Sequence, residues 1–400
     1  MYCCVNRGVG IRFKKIICLL LVLALSFSFI TSAYAQLTVQ NENASTPIQN
    51  KQISETAQNE PISENVRQLI NQLNNSKPGK LPDGFTKEDM QLVLREGGQA
   101  GLDAINNIIK NAPPIETLLS DEISSVDTYD IYESNENHRE NYSYQYDPST
   151  GQTSFVDGSQ FDHPSESAAN SSYTFDNSTC SVTPRAYPNY WFEYNPQNYF
   201  DTRSTCKLTV ILKDGSFGYG SGFMIAPNHI ATAGHCIYIK DEILNTAQWC
   251  DYIVVTPANR SAYPSQPYGM ALSQTVEVGG YWHDSFDSTD DWGVVELDTS
   301  FDTGYLNLSA PSGDIWGWWV RGQGYPADLQ DMYLIGGNII NNTAYQFVFN
   351  NTSERGMSGG PVLDGDQNII GFITAHDTSN SNAIVLRLRD WHVNKFMSYR

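Results

Sequence analysis

Leu208-Thr209-Val210-Ile211-Leu212, a break at Asp214-Gly215, then Gly222-Phe223-Met224-Ile225: short apolar runs parted by turn residues set the character of this chain. The pattern recurs at Tyr252-Ile253-Val254-Val255, Val294-Val295-Glu296-Leu297, Tyr345-Gln346-Phe347-Val348-Phe349 and Pro361-Val362-Leu363. It ends with Ile369-Ile370-Gly371-Phe372-Ile373 and Ala383-Ile384-Val385-Leu386. Such runs are too short for ordinary helices and predict many short strands, hence a sandwich or barrel. Only the last stretch, with Asp390, Trp391, Val393, Phe396 and Met397, reads as a closing helix. No internal repeat is visible.

Upstream the character changes. From Gln36 to about Asp176 the chain is polar, with helical spacing at Val66, Leu69, Ile70 and Leu73. A second helical stretch runs from Met90 through Val93, Leu94, Leu102, Ile105, Ile108 and Ile109, broken at Gly97-Gly98. Asp121 to Asn177 is mostly Ser, Asn, Asp, Tyr and Glu. This half is expected to bury little by itself, as a propeptide or linker. At the start, Arg7, Arg12, Lys14 and Lys15 precede the apolar run Ile16–Ile30 and the small-residue site Ala33-Tyr34-Ala35. Those are the parts of a secretory signal cut before Gln36, and the run is short for a spanning helix. The expected organisation is a signal at 1–35, a propeptide or linker at 36–180 and a compact domain at 181–400. The mature protein is expected outside the cell, with no membrane contact once the signal is removed.

With 400 residues, 44 acidic against 24 basic, the net charge is −20. An acid surplus of this size excludes a nucleic-acid binder, since phosphates demand a basic face. Eight Trp and 12% aromatic residues exclude wholesale disorder. Of seven cysteines, three leave with the signal. The remaining Cys180, Cys206, Cys236 and Cys250 favour disulfides outside the cell, in any of three connectivities. His229, His235 and His283 are nearby candidates for zinc, but no C-x-x-C pair exists and the spacings fit no usual site, so neither metal nor cofactor is expected.

Three motifs carry chemistry. Ala231-Thr232-Ala233-Gly234-His235-Cys236 follows a strand. Asp290-Asp291-Trp292-Gly293-Val294-Val295 puts acids at the mouth of another. Gly356-Met357-Ser358-Gly359-Gly360-Pro361-Val362 sets a serine in a glycine turn, where backbone N–H groups can converge on one point. Singly each has a bland reading, as a structural histidine, a solvated strand start or a common turn. Together they run His, Asp, Ser, the chain order of one convergent version of the acyl-transfer triad.

On these residues, and on Gly222–Pro227, Thr232–Tyr238, Pro267-Tyr268-Gly269 and Gly324-Tyr325-Pro326, the sequence resembles the secreted bacterial trypsin-like serine proteases. The branch it is most similar to is the glutamyl endopeptidase (V8-like) one. The resemblance implies an all-β, chymotrypsin-like double antiparallel β-barrel with a C-terminal helix, its site between the barrels. It implies Ser358 as nucleophile, His235 as general base and Asp291 as the acid orienting it, with Asp290 and then Asp287 as rivals. Gly356 and Ser358 would supply the oxyanion N–H groups. The substrates would be proteins or peptides, the chain's own propeptide an inhibitor, and the enzyme a monomer.

The departures are informative. Vertebrate-type relatives carry an acid where Met357 stands, so activation through that salt bridge is impossible here. The family's usual cysteine partner near Tyr219 is missing; against the resemblance, Cys236 is expected to pair with Cys250 and Cys180 with Cys206. Ile373 occupies the position of the glutamyl branch's pocket histidine. His376, Ser353, Thr374 and Arg355 remain candidates to read a substrate carboxylate, leaving open cleavage after Glu or Asp, or after another residue. Other classes are an inactive protease-fold binding or adhesion module and an esterase. Activation is expected by a cut between Asn177 and Arg185.

Overall fold

The computed structural model describes residues 62–77, 79–109, 115, 141–161, 190–193, 195–241, 246–262, 265–326, 331–377 and 381–400. The expected signal, Cys180 and the expected Asn177–Arg185 cut lie outside them.

Ser63 opens α1 (Glu64–Asn74), its hydroxyl accepting the Val66 N–H at 3.3 Å and so satisfying one of the unpaired donors of a helix start. Val66, Leu69, Ile70 and Leu73 form its single buried face. The second helical stretch is two helices, α2 (Lys87–Glu96) and α3 (Gly98–Ile109), parted at Gly97. Thr86 and Asp89 bond reciprocally to each other's backbone at the start of α2. The three apolar faces close over Ile211, Phe217, Tyr219, Tyr252, Val254 and Leu272. The region is expected to bury little by itself; residues 62–109 bury their apolar faces jointly with the first barrel's outer surface. A narrow apolar stripe on a short helix is marginal alone, but it becomes stable once a β-surface supplies the other half of a core.

Next in the chain, β1 (Tyr142–Asp147) and β2 (Gln152–Asp157) form a hairpin, and β3 (Tyr190–Glu193) follows. The first barrel is built from β4 (Thr205–Ile211), β5 (Phe217–Ala226) and β6 (His229–Thr232). A small hairpin, β7 (Tyr238–Asp241) and β8 (Thr246–Trp249), intervenes before β9 (Tyr252–Pro257) and β10 (Ala271–Gly279). After a short helix α4 (Gly280–Ser285), β11 (Gly293–Leu297) completes the barrel by pairing with both β6 and β10. The order β11-β6-β5-β4-β9-β10 closes on itself. Every residue of β4 is buried. Successive side chains of a strand point to opposite faces: Leu208 and Val210 enter the barrel core, while Ile211 packs under the helices.

The second barrel is β12 (Trp319–Gly324), β13 (Met332–Asn342), β14 (Gln346–Phe349), β15 (Pro361–Leu363), β16 (Ile369–Asp377) and β17 (Asn382–Arg387). Its order β12-β15-β16-β17-β14-β13 is closed by β12–β13, and β3 adds to the outside of β13. Two closed six-strand antiparallel barrels, with the expected C-terminal helix α5 (Asp390–Met397), make the all-β double barrel that the sequence implied.

β10 binds the N-terminal hairpin to this frame. One edge pairs with β9 at Ala271 and Leu272, then with β1 from Val276 to Gly279. At that junction Glu277 is buried; its carboxylate accepts the Ser143 hydroxyl of β1, the Tyr399 hydroxyl at 2.8 Å and the Lys395 ammonium at 2.8 Å. Removing one partner of such a pair strands a buried charge, which typically costs ~3–5 kcal/mol. Glu277→Ala is therefore expected to lower unfolding free energy by about that amount in urea titration.

Candidate active site

The His motif leaves β6 at Thr232 and turns through a single 3₁₀ turn, Gly234–Cys236. The acid motif enters β11 after another, Ser288–Asp290, capped by Asp287, whose carboxylate accepts the Thr289 N–H at 2.9 Å. β6 and β11 are neighbours, Gly293 opposite Thr232, so the two loops meet at one end of the first barrel. There Asp291 accepts the His235 backbone N–H at 2.8 Å on Oδ1 and lies 2.8 Å from His235 Nδ1 on Oδ2. Both side chains are almost wholly buried. Asp290, the rival acid, faces away; it accepts the Tyr281 N–H and the Trp292 indole N–H, each at 3.0 Å. It holds α4 and the indole in place instead. Asp287 is a cap.

Burial disfavours the charged imidazole of His235, but the Asp291 carboxylate, with Cys236 beside it, outweighs that and holds its pKa well above the ordinary histidine value. With Nδ1 engaged by Asp291, Nε2 is buried and makes no hydrogen bond with any described residue.

Ser358 stands in a turn between Ser353 and β15, and the turn is seated against the His loop. The Ser358 carbonyl accepts the Ser221 N–H at 2.8 Å and lies 3.8 Å from the Cys236 sulfur. Gly359, at φ +83°, has no room for a side chain; a Cβ there would strike Thr232 Oγ1 and the Ser221 carbonyl. At Gly356, φ +91°, a Cβ would strike the Tyr219 ring and the Tyr325 carbonyl. Both need the left-handed region that glycine adopts without penalty. Met357, where an acid would stand in vertebrate-type relatives, is fully buried in the second barrel's core.

Gly359 N–H donates to the Ile373 carbonyl at 2.7 Å, and Ile373 N–H to the Gly360 carbonyl at 2.9 Å. β16 therefore runs out of the nucleophile turn toward Thr374 and His376. Ser353 Oγ reaches the Ala375 carbonyl at 3.3 Å, and the buried Thr374 Oγ1 makes no hydrogen bond with any described residue. The pocket candidates Ser353, Thr374 and His376 thus lie on two adjoining segments, while the neighbouring Ile373 is buried in the second barrel's core.

The expected Cys236–Cys250 disulfide is not formed. The structure joins no described cysteines; Cys206, Cys236 and Cys250 are buried thiols. Burial pushes the Cys250 thiol up to about 12, and a thiol that stays protonated does not exchange. Next to Tyr219, a Cβ on Gly220 would sit 2.8 Å from the Cys236 sulfur. Among the described residues no group of three or more His, Cys, Asp or Glu side chains is arranged to hold a metal.

The trypsin-like peptidase domain family matches residues 220–372. That segment is similar to trypsin-like peptidase domains. The chain is 29% identical over 159 residues to a glutamyl endopeptidase of Bacillus licheniformis, covering 39% of this chain and 48% of that protein. It is 33% identical over 103 residues to a protein named extracellular metalloprotease of Bacillus subtilis, covering 25% and 30%. The chain thus spans between about a third and a half of these relatives' lengths. A solved Glu endopeptidase in complex with MPD superposes with a TM-score of 0.45 at 20% identity, over 54% of this chain and 98% of that one. The peptidase domain contains all three motif residues, whereas Thr374 and His376 fall just beyond its matched end.

Sequence reasoning did not single out Ser221, whose only local signal was the small-residue run Gly220-Ser221-Gly222. The imidazole supplies the first test. Because its folded pKa is raised, the stabilisation it contributes is complete below the ordinary histidine value near 6.5 and fades as pH rises through the raised one. NMR titration is expected to place His235 above the ordinary value. In Asp291→Asn, with the carboxylate gone and burial remaining, it is expected to fall below that value.

Proposed function

We propose that this protein is a secreted serine endopeptidase working through His235, Asp291 and Ser358. The observation that carries it is the buried His235–Asp291 pair beneath a glycine turn that presents a serine. A serine hydroxyl attacks a peptide carbonyl poorly until a neighbouring base takes its proton. Nε2 of His235 is that base. Asp291 fixes the tautomer through Nδ1 and stabilises the imidazolium that forms. The proton then passes to the leaving amine, leaving an acyl-enzyme on Ser358, and water repeats the sequence to release it. The N–H groups of Gly356 and Ser358 would receive the oxyanion, each such donor typically contributing ~3–4 kcal/mol.

For the residue before the cut bond, the reading is Glu or Asp, supported by the resemblance to a glutamyl endopeptidase and by Ser353, Thr374 and His376 along the pocket wall. Ile373, an apolar residue where the glutamyl branch carries its pocket histidine, favours the second reading, an uncharged residue there. Under either reading the chain is made as a precursor and cut between Asn177 and Arg185. Residues 62–109 and 141–161 would stay docked after the cut, because their helices and β1 share the first barrel's core and sheet.

Ser358→Ala is expected to cost at least ~10⁴-fold in kcat while leaving thermal unfolding unchanged; near-parental peptide hydrolysis would show the nucleophile misassigned. His376→Ala is expected to raise KM for Glu substrates and leave Leu and Phe substrates unaffected. A peptide-library digest of the parent decides between the two readings.

A further inference from the structure

The nucleophile turn lacks the acid through which vertebrate-type relatives order their oxyanion loop, and apolar Met357 takes its place. Something else must fix the peptides on either side of it. Ser221 on β5 is fully buried and spends every polar group it has at this junction. Its hydroxyl donates to the Gly356 carbonyl and accepts the Tyr325 N–H, each at 2.8 Å. Its own N–H donates to the Ser358 carbonyl at 2.8 Å, and its carbonyl accepts the Thr232 hydroxyl at 2.7 Å. One residue of the first barrel thus holds the carbonyls of both expected oxyanion-hole residues. It is itself held by Thr232, three residues before the imidazole.

We propose that Ser221 is the positioning residue of the oxyanion loop, replacing an activation salt bridge with a fixed hydrogen-bond relay. The proposal rests on the peptidase reading above and deepens it. Gly356 is at φ +91°, and nothing in its own side chain opposes rotation of its peptide. The Ser221 hydroxyl, a donor to one barrel segment and an acceptor from another, supplies the missing restraint. Because the relay forms on folding rather than on exposure of a new N-terminus, the loop is set before any processing cut. Cleavage upstream would then unblock the cleft without building the site.

Ser221→Ala is the test, read in three ways. Hydrogen exchange of a peptide spanning Glu354–Gly360 is expected to accelerate about tenfold, with β16 and β17 unchanged, since exchange reports local opening. This readout needs no catalysis and separates failure of the proposal from failure of the peptidase reading. In the active parent, kcat is expected to fall 10- to 100-fold with KM within threefold, and affinity for a peptide boronate is expected to fall in parallel with kcat. The acid limb of the pH profile is expected to stay in place, because His235 and Asp291 are untouched. Unchanged exchange, or a loss carried by KM alone, overturns the proposal. Should Ser221→Ala not fold, Thr232→Val, which removes only the bond locating the Ser221 carbonyl, is expected to accelerate the same exchange about threefold. Parental exchange in that variant overturns the proposal.

Discussion

Both oxygens of the Asp291 carboxylate are committed to one residue. A buried carboxylate is tolerable only when donors replace the water it has lost, and here the donors are the backbone N–H and the Nδ1 side of His235. The consequence runs both ways: the histidine supplies a donor to each carboxylate oxygen, and the acid fixes the ring's position and which nitrogen is left for the proton transfer. The adjacent Asp290, with the same side chain, is spent on the Tyr281 N–H and the Trp292 indole. Two neighbouring carboxylates therefore divide the labour. One orients the imidazole and the other anchors the segment that carries the first.

The second barrel contributes no strand to this pair. It supplies a turn pressed against it, and the fit is made of small residues. Gly359 meets Thr232 and Ser221 where no Cβ could stand, and Gly220 leaves room for the Cys236 sulfur. Interiors are packed to near-crystalline density, so such a junction has little freedom to reposition. Under the proposed function this rigidity is what a preorganised site requires.

The sequence was most informative where structure is local. Short apolar runs between turn residues predicted strands, and these became the two barrels; the closing helix around Trp391 and Phe396 lay where its spacing put it. The three motifs were legible because each places a chemically loaded residue at a strand end or in a glycine turn. Contacts between distant segments were not legible. Only the resemblance prefers Asp291 to Asp290, by the Trp292-Gly293-Val294-Val295 run that follows it; the two carboxylates' own chemistry does not tell which faces His235 and which faces Trp292. The polarity of residues 62–109 suggested a passive segment because the apolar surface it needs, Ile211 through Leu272, lies more than a hundred residues downstream. The cysteines misled for a related reason, since an even count in an exported chain says how many bridges are possible and nothing of which sulfurs meet.

The first barrel is sealed from both sides of the sequence. Glu277 binds Ser143 of the early hairpin, Lys395 of the last helix and Tyr399 just beyond it, while Arg400 donates to the carbonyls of Ile225 and Leu306, each at 2.9 Å. The Trp391 indole reaches the Gly158 carbonyl at 2.9 Å. On a ribosome, the six strands of this barrel emerge long before the helix that closes over them. Contacts of such sequence separation are slow to form, because chain entropy is lost before they stabilise anything. The His235 loop consequently sits in an unfinished barrel until residues 390–400 have emerged, whichever barrel folds first. Synthesis order alone therefore delays the assembled site until after the whole second barrel has been made.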